Sequence, residues 1–217
     1  MKNFDLIVFD WDGTVMDSTA VIAMSIQEAA RDLGLPVPDR DLASHVIGLG
    51  LADALQIAVP QLARADYPRM AERYRVHWRA HEDDLVLFKG MRELLDSLKA
   101  GSYRLAVATG KSRAGLDRVL AHGDLGHVFD WTRCADEAQS KPHPQMLIDV
   151  MERLDATPER TLMIGDTTHD SQMAANAGAH ALSVTYGAHP RAQLATLAPR
   201  ALVDSVEELG QWLGIHG

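Results

Sequence analysis

Leu6-Ile7-Val8-Phe9-Asp10-Trp11-Asp12-Gly13-Thr14 is a run of four apolar residues that stops on two carboxylates and a glycine. The apolar run reads as a buried strand. Asp10 and Asp12 cannot continue that strand into a core, because unpaired buried charge is very costly. The strand therefore ends at Asp10, at a rim where a cation or a polar ligand meets the two carboxylates. Two carboxylates that close repel each other, and a divalent cation on one or a proton on the other relieves the repulsion. That division suits chemistry, with an ionised Asp as nucleophile or metal ligand and a protonated one as acid. An Asp-rich turn after a strand is the plainer alternative.

Working outward, the chain alternates strand with helix. Thr19 to Leu33 has a long helical pattern closed by Gly34, with Ser18 as N-cap. Shorter helices are expected over Asp39 to Ile47 and Leu51 to Val59, and a long one over Gln61 to Glu82 that Pro68 kinks or splits. From Phe88-Lys89-Gly90 the character changes. Strands are expected at Tyr103 to Ala108, Val128 to Cys134, Thr161 to Ile164, Ala181 to Val184 and, weakly, Ala201 to Val203. Helices fall between them at Met91 to Ala100, Ser112 to His122, Gln145 to Leu154 and Thr168 to Ala177, with two more over 190–197 and 205–213. Strands apolar along their whole length, alternating with helices, predict an α/β fold: a Rossmann-like parallel sheet with helices on both faces. Residues 16–82 hold no convincing strand and read as an all-helical cap domain. It is inserted into a catalytic core made of 1–15 and 83–217. In such sheets reactive residues sit outside the carboxyl ends of the strands. Three of these strands end on polar clusters: Asp10/Asp12, Thr109/Lys111 and Asp166/Asp170.

The 217 residues, 47% hydrophobic and 24% charged, are enough for one good core and a smaller unit. A formal net charge of −9 repels a nucleic-acid backbone over most of the surface, so no nucleic-acid partner is expected. It repels a small phosphorylated molecule too, unless a metal and a positioned cation are gathered locally. One cysteine, Cys134, allows no intramolecular disulfide and fits a reducing cytoplasm. The first residues lack the apolar run of a signal peptide, and no stretch is apolar enough to span a membrane.

Asp10-Trp11-Asp12-Gly13-Thr14, Thr109-Gly110-Lys111, Lys141-Pro142 and Gly165-Asp166-Thr167-Thr168-His169-Asp170 resemble the four ordered motifs of the haloacid dehalogenase superfamily. The insertion between the first two motifs and the form Lys141-Pro142-His143-Pro144 resemble its phosphoglycolate phosphatase-like branch. The resemblance implies an Mg²⁺-dependent phosphatase acting on a small phosphorylated metabolite. Asp10 would attack phosphorus to form an aspartyl-phosphate, and Asp12 would protonate the leaving alcohol and later deprotonate water. Thr109 and Gly110 can offer a hydroxyl and N–H groups to a phosphoryl oxygen. Lys141, with an extended backbone favoured by Pro142, can stabilise the nucleophile and the transferring group. Hard oxygen ligands beside a phosphate suit Mg²⁺. The resemblance implies Asp10, the backbone carbonyl of Asp12, and Asp166 as its ligands. Asp170 would support them, bond Lys141, or simply complement a helix N-terminus. Thr14 is expected in a supporting turn, and Lys111 is as consistent with the surface as with the site.

The presence of Asp12 favours phosphoryl transfer over carbon–halogen cleavage. A sugar phosphomutase of the β-phosphoglucomutase type shares every core motif, and a non-catalytic binding protein on the same scaffold is the third alternative. Substrate choice is expected to lie in the cap loop His45-Val46-Ile47-Gly48-Leu49-Gly50, through His45, Gly48 and Gly50. Phe88-Lys89-Gly90 is a hinge candidate. The Tyr74/Trp78 pair reads as packing, and Arg69, Arg73, Arg75 and Arg79 as a solvated face.

Overall fold

The computed structural model describes residues 3–216, with side chains through residue 214. Six strands form one sheet: β1 (Leu6–Phe9), β2 (Arg104–Thr109), β3 (Trp131–Cys134), β4 (Thr161–Gly165), β5 (His180–Val184) and β6 (Leu202–Val203). Their order is β3-β2-β1-β4-β5-β6, and every pairing is parallel. Phe9 pairs with Val107 on one side and Ile164 on the other, so Asp10 emerges between the ends of β2 and β4.

Side-chain alternation divides the sheet's apolar residues between two faces. Ile7, Phe9, Leu105 and Ile164 pack with α5 (Met91–Ala100), α6 (Arg113–His122) and α10 (Val206–His216). Leu6, Val8, Ala106 and Met163 pack with α7 (Gln145–Arg153) and α8 (Thr168–Asn176). All four β1 side chains are fully buried. Each contributes about 1.5–3 kcal/mol of transfer free energy, enough together to hold a charged residue at the strand's end against its desolvation.

Between β1 and α5 lie α1 (Thr19–Asp32), α2 (Arg40–His45), α3 (Leu51–Ala58) and α4 (Tyr67–Arg79). They share an apolar cluster of their own, including Ile26, Leu55, Met70 and Trp78. The chain segments entering and leaving this helical stretch lie side by side. Asp17 N–H donates to the Val86 carbonyl at 3.0 Å and Phe88 N–H to the Val15 carbonyl at 3.1 Å.

Three sequence expectations change. Pro68 does not kink a long helix; a single 3₁₀ turn at Arg64–Asp66 precedes α4, and Pro68 sits in its first turn, where no N–H is needed. Val128 and Phe129 are buried but precede β3, so an apolar run there imitates a strand without its ladder. Ser18 precedes α1 but its hydroxyl does not cap the helix. It donates to Asp12 instead, at 2.6 Å.

Candidate active site

The ends of β1, β2 and β4 bring Asp10, Thr109 and Asp166 to one rim, all buried. Lys141, from the loop before α7, reaches the same point. Its ammonium donates to Asp10 Oδ1 at 2.6 Å and to Asp170 Oδ1 at 2.7 Å, with no side-chain exposure. Asp170 Oδ2 accepts the Thr167 N–H at 3.1 Å and hydroxyl at 2.7 Å, closing a capping box at the start of α8. Asp166 is held on both oxygens: Thr14 donates to Oδ1 at 2.9 Å and the Ala188 N–H to Oδ2 at 2.7 Å. Gly13, at φ +82°, admits this arrangement, because a Cβ there would lie 2.2 Å from Asp166 Oδ2.

One buried carboxylate oxygen is left over. Among the described residues, Asp10 Oδ2 has no hydrogen-bond partner. Asp10, Asp166 and Asp170 offer oxygens within 4.8 Å of one another. Were all three carboxylates ionised, the one ammonium would leave the cluster two negative charges in excess. Burial drives the Asp10 carboxyl well above its usual range, and Asp170 and Asp166 add to the rise, while Lys141 opposes it. Burial, then Asp170, likewise pushes Asp166 up to about 7. For Lys141, burial alone would lower the ammonium; Asp10 and Asp170 overrule it and hold the group above its ordinary value. An orphaned oxygen, hard donors and a surplus of two negative charges fit a divalent cation.

Asp12 turns away from this cluster. Its Oδ1 accepts the Ser18 hydroxyl and lies 3.1 Å from the Lys111 ammonium, whose nitrogen also sits 4.1 Å over the Trp78 ring. Lys111 is therefore part of the site. Thr109 Oγ1 accepts the Lys111 N–H at 3.2 Å. Gly110 meets the helical stretch directly: a Cβ there would stand 2.4 Å from the Leu49 carbonyl oxygen. Gly50 N–H donates to Ser140 Oγ at 2.9 Å, tying the same loop to the segment that carries Lys141.

Beyond Asp12 opens a cavity of about 660 Å³ between this rim and α1, α3 and α4. Gly48 and Gly50 line it and His45 does not. The His45 ring stacks on His189 with centroids 4.8 Å apart, and its carbonyl accepts from His169 and His189 Nε2, each at 3.0 Å. Tyr74 and Trp78, expected to be packing residues, stack on each other and also line the cavity. Arg75 and Arg79 line its mouth. The sequence reading missed Ser18 and Ala188. Ser18 carried a capping signal that masked its real partner, and Ala188 contributes only a backbone N–H.

Residues 7–184 match the family described as haloacid dehalogenase-like hydrolase. The chain belongs to this family. Among haloacid dehalogenase-like relatives, a probable phosphatase, IndB, of Dickeya dadantii (strain 3937) is 37% identical over 209 residues, spanning 94% of this chain and 91% of that one. The tyrosine-protein kinase PtkA of Mycobacterium tuberculosis (strain ATCC 25618 / H37Rv) is 31% identical, over 97% of this chain and 72% of that one. The crystal structure of a predicted phosphoglycolate phosphatase from Haemophilus somnus 129PT superposes with a TM-score of 0.83. It is 26% identical and covers 97% of this chain and 98% of its own. No helix among the described residues is long and apolar enough to cross a membrane.

Proposed function

We propose that this haloacid dehalogenase-like hydrolase is an Mg²⁺-dependent phosphatase. In this reading it cleaves a small phosphate monoester, as the phosphatases among its relatives are named for doing. The observation that carries the reading is the Lys141 clamp: one buried ammonium joins Asp10 to Asp170, leaving Asp10 Oδ2 uncommitted.

Asp10 and Asp166, with the Asp12 carbonyl, would hold the metal. When bound, Mg²⁺ supplies positive charge that neutralises the cluster and offsets phosphate charge. A carboxylate oxygen of Asp10 attacks phosphorus, the phosphorus–oxygen ester bond breaks, and its electron pair passes to the leaving oxygen. Asp12 gives that oxygen a proton and the alcohol departs. Water then attacks phosphorus, Asp12 takes back a proton, and the bond to Asp10 breaks to release inorganic phosphate. Acid–base help of this kind is worth about 10²–10⁴-fold. Lys141 keeps Asp10 in line and meets the charge of the transferring group, and Thr109 and Gly110 donate to its oxygens. Thr14 and Asp170 fix the residues that act.

The chain divides, in this reading, into a core of 1–15 and 83–217 and a helical cap of 16–82. The paired linkers at 15–17 and 86–88 act as the hinge, and cap closure excludes water. The test is release of inorganic phosphate from p-nitrophenyl phosphate. Wild type turns over with Mg²⁺ and stops with EDTA, and Asp10→Asn is inactive. A wild-type protein inert toward a broad panel of phosphate esters with metal present refutes the reading. Conversion of a hexose 1-phosphate to the 6-phosphate without free phosphate would make the enzyme a mutase instead.

A further inference from the structure

Resting on the phosphatase reading, we infer that the alcohol this enzyme releases carries an apolar ring, and that esters as small as 2-phosphoglycolate are poor substrates. The cavity opens from Asp12, on the side where the leaving alcohol must lie. Its roughly 660 Å³ falls in the range that encloses a whole ligand of many atoms. A two-carbon leaving group fills little of it.

Much of the wall is apolar. Ile22, Ile26, Ile47 and Leu49 supply aliphatic surface, and Tyr74 and Trp78 supply ring surface from α4. Those two rings stack on each other, 18° from parallel with centroids 6.4 Å apart, and aromatic edges and faces of this kind favour contact with another ring.

The cations settle the other half of the inference. A carboxylate on the leaving group, once buried, needs a cation to pair with. Of the cations that line the cavity, Lys111 is the one beside Asp12, and it is held by Asp12 and by the Trp78 face. Arg75 and Arg118 stand at the mouth with half-exposed side chains, paired with Glu72 and Glu82. Arg79 is exposed there too. Of the four cations that line the cavity among the described residues, Lys111, Arg75 and Arg118 are paired and Arg79 is exposed, so none stands both buried and unpaired beside Asp12. A neutral ring gains from the apolar surface; a glycolate carboxylate loses its hydration to it.

The experiment compares kcat/KM for 2-phenylethyl phosphate, ethyl phosphate and 2-phosphoglycolate, with Mg²⁺. The first two release alcohols of similar acidity and differ only in the ring. The expected result is at least a tenfold preference for the 2-phenylethyl ester over both others, arising chiefly in KM. Trp78→Ala brings the preference over ethyl phosphate toward one. Should that variant fail to fold, Tyr74→Leu is expected to shrink it in the same direction. A wild-type ratio of one or below, or 2-phosphoglycolate as the best of the three, overturns this inference and leaves the phosphatase reading standing. No phosphate released from any of the three, nor from p-nitrophenyl phosphate, overturns both.

Discussion

At the floor of the site, Asp10, Asp166, Asp170 and Lys141 are 0–2% exposed, and all their charged atoms but Asp10 Oδ2 are bound to one another, to hydroxyls or to backbone N–H groups. At its roof, Ile47, Leu49, Tyr74 and Trp78 present carbon surface, and the loop that carries two of them touches the floor through glycine. The floor gathers charge that costs folding free energy, a cost that, in the proposed reading, a cation and a phosphate would offset. The roof gathers apolar surface, which stabilises the fold and costs nothing when empty. Proteins commonly trade stability for function in this way, and here the trade is confined to one layer.

Substitutions at the two layers should therefore behave differently. The largest effect is expected at the floor. Asp10→Asn removes the proposed nucleophile and is expected to lower phosphate release by about three orders of magnitude or more. It also removes one of the crowded carboxylates, so the metal-free variant melts at a higher temperature than wild type. A variant that is both inactive and less stable would break the comparison. Lys141→Met is expected to do the reverse to the fold. It leaves Asp10 and Asp170 without their shared cation and costs about 3–5 kcal/mol, read by urea unfolding. Asp12→Asn should keep the fold and lose about 10²–10⁴-fold in kcat, because only the proton shuttle is gone. At the contact between the layers, Gly110→Ala forces the Leu49 carbonyl away. The expected loss is about tenfold to a hundredfold in kcat/KM, with the thermal transition little changed.

The smallest effect concerns His189, which joins the layers through the His45 carbonyl. Burial holds its pKa at about 4, below the ordinary 6.5, while the bond to His45 partly opposes the shift. As pH falls through 6.5 the unfolded chain takes the proton first. Stability is therefore full above pH 6.5 and declines between 6.5 and 4. His189→Asn should flatten that decline modestly in melting curves at pH 7 and 5. An unchanged slope would remove His189 from the account.

The two layers also differed in how much the sequence showed. The meeting of Asp10, Thr109 and Asp166 at one rim was legible because charged or hydroxyl residues standing at the ends of apolar strands have few explanations, and Lys141 was legible only through the motif it shares with Pro142. The sheet was legible for the same reason, since β1, β2 and β4 are apolar along nearly their whole length. The roof was not. Trp78 and Tyr74 fit helical packing as well as a cavity wall, and a helix's sequence does not say which of its buried faces meets protein and which meets a space. His45 looked like a site residue because it sits in a glycine-rich loop, yet its ring stacks on another histidine. Ala188 was invisible in principle, because every residue but proline carries an N–H.

The hydrogen bonds between residues 15–17 and 86–88 place the two ends of the helical stretch about one strand spacing apart. A gap that small can be closed by a few glycines, so the inserted helical stretch is open to being exchanged as a cassette. Descendants of such a chain can swap the inserted piece while the buried charge cluster at the strand ends stays as it was.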